Sequence, residues 1–233
     1  MLPLSQLATR YKEVQDRISA AATLSGRQAS DVELIVITKT HPTLVVAELA
    51  DLGHRSFGEN KDQEARPKAM ELDVLRPGIN FDWHFVGQLQ SNKVKSAMSY
   101  AKTIHSLDRP SLLKEIAKQL ASSQAKIDCY IELNLTQDLN RGGLDPSMIR
   151  QFAESALEVP GLRVLGVMAV AGLDVDPRVD FETAVRISHE LREIVPDAKA
   201  LSIGMSADYE VAIELGATHV RIGSAITGPR GNN

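Results

Sequence analysis

Short apolar runs alternate with longer segments of helical period along almost the whole chain. The short runs are rich in β-branched residues, which is typical of strands, and the longer segments repeat apolar residues every three or four positions, which is typical of helices. The predicted strands are 32–38, 55–58, 82–86, 103–106, 127–135, 164–170, 201–203 and 220–222. The predicted helices are 4–24, 43–52, 61–71, 91–100, 110–122, 146–158, 179–194 and 207–215. This order predicts parallel strands that are joined by helical crossovers.

The number of strands predicts how the sheet is arranged. Eight strands with helices between them favour an α/β fold of the closed (β/α)8, TIM-type barrel class, with an extra N-terminal helix before the first strand. An open, doubly wound sheet is the alternative. The 233 residues contain no segment of linker composition, so we expect one domain that spans residues 1–233.

Composition and charge narrow the range of partners. The formal net charge is −4, and the sequence has no basic run that is interleaved with aromatic residues, so we expect no nucleic-acid partner. No apolar run approaches the ~18 residues that are needed to span a bilayer. The first residues carry charges instead of the apolar centre of a signal peptide, so we expect a soluble, cytoplasmic protein. The single cysteine, Cys129, lies in an apolar run and is interpreted as a core residue.

A lysine ends the first predicted strand, and the carboxyl ends of barrel strands are where such proteins carry functional groups. Lys39 directly follows the apolar run 34–37 and Thr38. An amine with limited access to water loses its charge more easily and becomes the nucleophile that imine formation requires. Alternatively, the side chain extends past the barrel rim into solvent. The lysine alone leaves both interpretations open.

The last two predicted strands both end in small residues that leave backbone N–H groups free. Met205-Ser206 follows Gly204 after the seventh strand, and Gly223-Ser224 follows the eighth. The loops after these two strands are the usual phosphate site of a barrel. Arg221, two residues before Gly223, is predicted to point inward. It either pairs with an acid on a neighbouring strand or faces an acceptor atom of a ligand.

Polar side chains also end several other strands, which places them on the same side of the barrel. Each of them is more often a structural group than a ligand contact. They are Asn60, His84, Gln88, His105 and Asn134. The sequence contains no His, Cys and carboxylate trio at metal-ligand spacing, and neither a nucleophile elbow nor a phosphate-binding glycine motif.

Five segments together resemble one known family. They are ITK at 37–39, FGEN at 57–60, HFVGQLQSNK at 84–93, LSIGMSAD at 201–208 and VRIGSAITG at 220–228. The resemblance covers residues 5 to 230, nearly the whole chain, with all five motifs in the same order. On these motifs the sequence is similar to the pyridoxal 5′-phosphate (PLP) homeostasis proteins, a family related to the barrel domain of alanine racemase.

The resemblance implies a set of residues that bind PLP. It implies that Lys39 holds PLP as a Schiff base and that Arg221 faces the pyridine nitrogen. It assigns the phosphate contacts to Ser206, Gly223 and Ser224, and the ring and wall contacts to Asn60, His84 and Met205. It implies no catalytic residue, and we predict no metal ligand.

Two positions depart from the pattern of the family. Lys61 follows Asn60 where an aromatic residue is common, and Arg141 lies in the turn 140–142 where relatives often carry lysine. A guanidinium group does not form a stable imine, so the departure at Arg141 puts a second PLP-binding site at this turn in doubt.

The position of Arg221 predicts how reactive bound PLP would be. Enzymes that use the PLP ring as an electron sink usually place a carboxylate beside its pyridine nitrogen, whereas Arg221 would place a permanent positive charge there. None of the four tyrosines is clearly placed to act as a second base, and the sequence shows no dimer-forming domain like that of alanine racemases.

These features favour a monomeric PLP carrier that has no enzymatic activity. PLP is its predicted ligand, and apo-enzymes that require PLP are its candidate partners. The alternatives are a PLP-dependent amino-acid racemase and an aldolase that uses Lys39 without PLP.

Overall fold

In the computed structural model, which describes residues 5–123, 125–136, 138, 141–173 and 175–228, eight parallel strands close into a barrel. The strands, β1 to β8, are Glu33–Ile37, Ser56–Glu59, Asp82–Phe85, Thr103–Leu107, Ile127–Leu133, Leu162–Ala169, Ala200–Ser202 and His219–Ile222. Val36 on β1 lies opposite Phe57 on β2 and opposite Ile222 on β8, so the first strand is paired on both edges. The closed barrel confirms the predicted fold class and excludes the open sheet.

Helices surround the barrel and cover its apolar outer face. These helices, α1 to α9, are Gln6–Leu24, Thr43–Asp51, Asp62–Leu75, Val94–Ala97, Pro110–Ser123, Ile149–Leu157, Pro177–Ile194, Tyr209–Glu214 and Ser224–Thr227. Cys129 on β5 is fully buried, as predicted for a core residue. Within the described ranges, no helix has both the length and the apolar character to cross a membrane.

The extra N-terminal helix supports the side of the barrel on which the last strands end. Apolar residues of α1, including Leu7, Val14 and Ile18, are buried against the barrel helices. Arg10 on the same helix donates a hydrogen bond from Nε to the Ile226 carbonyl oxygen over 2.7 Å. Because Ile226 lies in α9, this contact ties α1 to the short helix that follows β8.

Most predicted elements differ from the observed ones by one to four residues at an end, and two of these differences are described here. The predicted helix 91–100 is a short 3-10 turn, Ser91–Lys93, followed by the four-residue α4, because the chain must turn back to start β4 at Thr103. The fifth strand ends at Leu133 instead of 135. Asn134 Oδ1 accepts hydrogen bonds from the backbone N–H and the hydroxyl of Thr136, and this local turn ends the strand.

Candidate functional site

A cavity of about 530 Å³ lies at the carboxyl ends of the strands. Its wall includes residues that follow β1, β2, β3, β7 and β8, so the barrel brings together parts of the chain that are far apart in sequence. Seven of the eight predicted binding residues line this cavity: Lys39, Asn60, Met205, Ser206, Arg221, Gly223 and Ser224. The cavity is also lined by Thr40, His41, Val86 and Gly87, which the sequence analysis did not single out.

His84 is the exception among the predicted residues. It is not among the residues that line the cavity, although Val86, two positions later, is. The ring of His84 is buried in the barrel interior, with Nε2 at 2.9 Å from Ser56 Oγ and Nδ1 at 3.0 Å from His105 Nε2. Both ring nitrogens of His84 therefore have partners inside the barrel, and the structure does not place this residue in the cavity wall, where the sequence analysis expected it.

The backbone around Lys39 is held in an uncommon conformation. Thr40 has a φ of 66°, in the left-handed region that costs a non-glycine residue about 1–3 kcal/mol. Its backbone N–H donates to Glu64 Oε2 over 3.0 Å, and this bond helps to maintain the conformation. Because a threonine carries no sequence signal for positive φ, only the structure identifies this strained position beside the lysine.

A buried ion pair lies directly behind the residue that precedes Lys39. Lys68 donates from Nζ to the Thr38 carbonyl oxygen over 2.8 Å and pairs with Glu59, while Thr38 Oγ1 donates to Glu59 Oε1 over 2.7 Å. All three side chains are buried. Lys68 thus contacts both the residue after β1 and the last residue of β2, and removing either Lys68 or Glu59 would leave the other charge buried without a partner.

The loops after β7 and β8 meet at Ser206. Its Oγ accepts hydrogen bonds from the backbone N–H groups of Gly223, over 3.3 Å, and Ala225, over 3.4 Å. Two main-chain donors therefore converge on one oxygen at the edge of the cavity. An anionic oxygen is a better acceptor for such donors than a neutral hydroxyl, so the two loops can bind an anion at this point.

A glycine allows the loop after β3 to approach the cavity wall closely. A Cβ atom at Gly87 would lie 2.2 Å from the Asn60 carbonyl oxygen, a distance that no side chain can occupy. Gly87 therefore permits the contact between this loop and the backbone of Asn60.

Arg221 is buried and bound by neutral oxygens. Its Nη1 donates to the carbonyl oxygen and the hydroxyl of Ser202, over 2.6 and 2.7 Å, and its Nη2 donates to the Ala169 carbonyl oxygen over 2.9 Å. Burial lowers the pKa of Arg221 to about 10, and the charge of Glu132 acts in the opposite direction. The group therefore stays charged at neutral pH. In the described part of the chain it makes no ion pair with an acid, so the first of the two interpretations of its inward position is wrong, and its role toward a ligand stays a prediction.

The second departure from the family pattern also lies near the cavity. Arg141 Nη2 donates to the carbonyl oxygens of Val170 and Ala171, over 3.2 and 3.1 Å, and Val170 lines the cavity. Asn140, the first residue of this turn, lies outside the described residues. Over the described ranges, no group of three or more His, Cys, Asp or Glu side chains is arranged to bind a metal ion.

Buried histidines should make the stability of the fold depend on pH. Burial lowers the pKa of His54 from 6.5 to about 4. Below pH 6.5 the unfolded chain binds a proton at this ring, whereas the folded protein binds it only near pH 4. The free energy of unfolding should therefore fall by about 1.4 kcal/mol per pH unit as the pH is lowered through this range.

This contribution is measured by urea unfolding between pH 6.5 and 4 for the unmodified protein and for His54→Gln. In the variant, the slope of the free energy of unfolding against pH should be smaller by about 1.4 kcal/mol per pH unit. Burial also raises the pKa of Glu132 to about 7, which gives a slope of opposite sign, and the comparison of the two proteins cancels that contribution. His189→Gln, at an exposed position, is the matched control. Equal slopes for His54→Gln and the unmodified protein would contradict this prediction.

Comparisons with known proteins agree with this architecture. Residues 10–231 match the family model of the alanine racemase N-terminal domain. The pyridoxal phosphate homeostasis protein of Mycobacterium tuberculosis is 35% identical over 97% of this chain and 93% of its own length. The protein of the same name from Aquifex aeolicus is 38% identical over 95% of this chain and 97% of its own length.

A solved structure of a related protein has the same fold. PipY of Synechococcus elongatus, whose structure has PLP bound, superposes with a TM-score of 0.81 at 30% identity, and the match covers 92% of this chain and 100% of PipY. Together with the family model and the curated relatives, this shows that the chain belongs to the pyridoxal phosphate homeostasis proteins, within the alanine racemase N-terminal domain family.

Proposed function

We propose that this protein binds PLP reversibly and takes part in intracellular PLP homeostasis, without an enzymatic reaction of its own. The observation that carries the proposal is the shared cavity of Lys39, Arg221 and the two loops that meet at Ser206. The names of the curated relatives and the PLP bound to PipY support the same ligand.

The cavity has the chemical groups that PLP requires. When bound, PLP supplies an aldehyde that condenses with a primary amine and a ring that can accept electrons. Lys39 provides the amine, and we propose that it holds PLP as a Schiff base. The volume of about 530 Å³ lies within the range of roughly 300–1,000 Å³ that is common for small-molecule sites.

Each remaining part of PLP has proposed contacts in the cavity wall. Ser206, Gly223 and Ser224 would bind the phosphate, because main-chain N–H groups and a hydroxyl converge there. Arg221 would face the pyridine nitrogen, and Asn60 and Met205 would contact the ring. His84 acts from the barrel interior instead of touching PLP.

Two features favour a carrier over the racemase alternative. The positive charge of Arg221 opposes protonation of the pyridine nitrogen, because two like charges would then lie close together. The hydrogen bonds of Arg221 go to neutral oxygens, so no carboxylate in direct contact cancels this charge. A racemase also needs a second base, and none of the four tyrosines lines the cavity. Among the described residues, the histidine in the wall is His41, which is only two positions after Lys39.

Absorbance and an activity assay together test this function. PLP added to the PLP-free protein should give a visible imine band that borohydride removes, and peptide mapping should then find PLP on Lys39. The aldolase alternative predicts no such band. The loaded protein should not racemise amino acids. A turnover on the ordinary enzyme scale of about 1–1,000 per second would replace the carrier function by the racemase alternative.

The effect of the charge at position 221 is tested by Arg221→Gln. This change removes the positive charge but keeps a polar side chain with an amide donor. The loaded variant should exchange the α-proton of added amino acids slowly, whereas the unmodified protein should not. Arg141→Gln is the control, because it removes another arginine near the cavity whose Nη2 also donates to carbonyl oxygens. Equal exchange in both variants would show that the charge at position 221 is not what limits the reaction.

The remaining predictions concern the partners, the oligomeric state and the location of the protein. Apo-enzymes that require PLP are the proposed recipients, since a carrier of a reactive aldehyde must deliver it to proteins that use it. The monomeric state and the cytoplasmic location stay predictions, which gel filtration and cell fractionation would test.

A further inference from the structure

A row of hydrogen-bonded side chains crosses the barrel interior from β1 to the cavity. We call this row the interior relay; its members are Glu33, Ser56, His84, His105, Ser202 and Arg221. The successive donor–acceptor distances along it are 2.7, 2.9, 3.0, 3.0 and 2.7 Å. Apart from Glu33, which is partly exposed, all members are buried. The relay therefore links the arginine of the cavity to a carboxylate at the amino-terminal end of β1.

The direction of each hydrogen bond follows from the arginine end. A guanidinium group only donates, so Ser202 Oγ accepts from Arg221 Nη1. The single proton of the Ser202 hydroxyl is then free to be donated to His105 Nδ1. A neutral histidine that accepts at Nδ1 carries its proton on Nε2, and His105 therefore donates from Nε2 to His84 Nδ1.

The same logic continues to the carboxylate. His84 accepts at Nδ1, so it carries its proton on Nε2 and donates to Ser56 Oγ. Ser56 in turn donates its hydroxyl proton to Glu33 Oε1. Every donor in the relay thus points from Arg221 toward Glu33.

If the donors and acceptors of the relay were reversed, a hydroxyl proton would lose its acceptor and the hydrogen bond to Glu33 would be lost. If His105 carried its proton on Nδ1 instead, the Ser202 hydroxyl proton would have no acceptor among the contacts of the described residues. Ser56 would then donate to His84, and no proton would remain between Ser56 Oγ and Glu33 Oε1. A buried hydroxyl without an acceptor for its proton is destabilising, so the direction toward Glu33 is the stable one.

Neighbouring residues and burial keep Glu33 charged and the rings of His84 and His105 neutral. His219 Nε2 lies 3.2 Å from Glu33 Oε2, and this contact is the main reason that the pKa of Glu33 falls to about 2. Burial lowers the pKa of His84 to about 4 and lowers the pKa of His105 well below its ordinary value, so both rings are neutral at pH 7. Tyr130 stacks on His105 with ring centroids 4.3 Å apart, which fixes the plane of that ring.

We propose that Ser56, His84, His105 and Ser202 are positioning residues for Arg221, and that their one-way hydrogen bonds hold its guanidinium in a single orientation beside the cavity. The role toward PLP rests on the proposed function, whereas the direction of the relay does not depend on any ligand.

Nitrogen NMR of the histidine side chains in the PLP-free protein tests the direction of the relay. At pH 7, His84 and His105 should both be neutral and should both carry the proton on Nε2. This measurement uses the unmodified chain, so it does not depend on the folding of a variant. A proton on Nδ1 of either ring, or a charged ring, would overturn the proposed relay.

Ser202→Ala tests the positioning role. It removes one acceptor of Arg221 and the donor to His105, so the signals of both His105 and His84 should shift. PLP affinity should fall about ten- to hundredfold, the scale of a lost hydrogen bond to a charged group. Ser188→Ala is the matched control, because Ser188 is also a buried serine but lies on α7 outside the relay.

The outcomes separate the relay from the proposed function. Unchanged PLP affinity in Ser202→Ala, with the predicted protonation in the unmodified protein, would overturn the positioning role alone. Recovery of affinity in Ser202→Thr, which restores the hydroxyl, would support it. Failure of the unmodified protein to bind PLP would overturn the proposed function and the positioning role, while the NMR result would still decide the direction of the relay.

Discussion

Replacing Lys39 with alanine should abolish the visible imine band that forms when PLP is added, and borohydride should then attach no PLP to the chain. All other lysines lie outside the residues that line the cavity in the described structure. The loss should be complete instead of partial, because an imine requires an amine and no second one is available in the wall.

The nearest competing lysines make suitable controls. Lys61→Ala removes an exposed lysine next to Asn60 and should leave the band unchanged. Lys68 is buried behind Thr38, but its amine is engaged by the Thr38 carbonyl oxygen and by Glu59, so it should not react. Reduced PLP found mainly on Lys61 or Lys68, or a band that persists in Lys39→Ala, would refute the assignment of Lys39.

Replacing Ser206 and Ser224 with alanine should weaken the binding of PLP much more than that of pyridoxal, which lacks the phosphate. A charge-assisted hydrogen bond contributes about 1.5–3 kcal/mol, so each change should lower PLP affinity about ten- to hundredfold. The two serines lie on loops that meet, and their effects are therefore not expected to add independently.

Affinities measured by the absorbance change for both ligands in the two single variants and the double variant test this prediction. Pyridoxal is the internal control, since it carries the same aldehyde and ring. The backbone N–H groups of Gly223 and Ala225 remain in every variant, so some phosphate binding should survive in the double variant. Equal losses for PLP and pyridoxal would show that the phosphate is bound elsewhere.

The barrel and much of the candidate site could be predicted because they depend on local patterns. Strands and helices have side-chain periods of two and 3.6 residues, which are visible in any stretch of sequence. Lys39, Ser206, Gly223 and Ser224 follow such strands and Arg221 lies near the end of one, and a parallel barrel places the carboxyl ends of all its strands on one side. Seven predicted residues therefore share one cavity in the structure.

The predictions were weaker where a residue's role depends on its neighbours in space. His84 was expected in the cavity wall, yet it is held in the interior between Ser56 and His105. The sequence also left open whether Arg221 pairs with an acid, and its partners turned out to be oxygens of Ser202 and Ala169. Neither outcome has a local signal, because each depends on which side chains the closed barrel places together.

The amino-acid sequence by itself determined the order of strands and helices, the lysine at the end of the first strand and the two small-residue loops after the last strands. Only the tertiary structure decided the left-handed conformation of Thr40, the ion pair of Glu59 with Lys68, and the interior relay from Glu33 to Arg221. The physical reason is that periodicity arises within one element, whereas a buried hydrogen bond or ion pair needs partners from different strands and helices. Closure of β8 against β1 supplies that proximity.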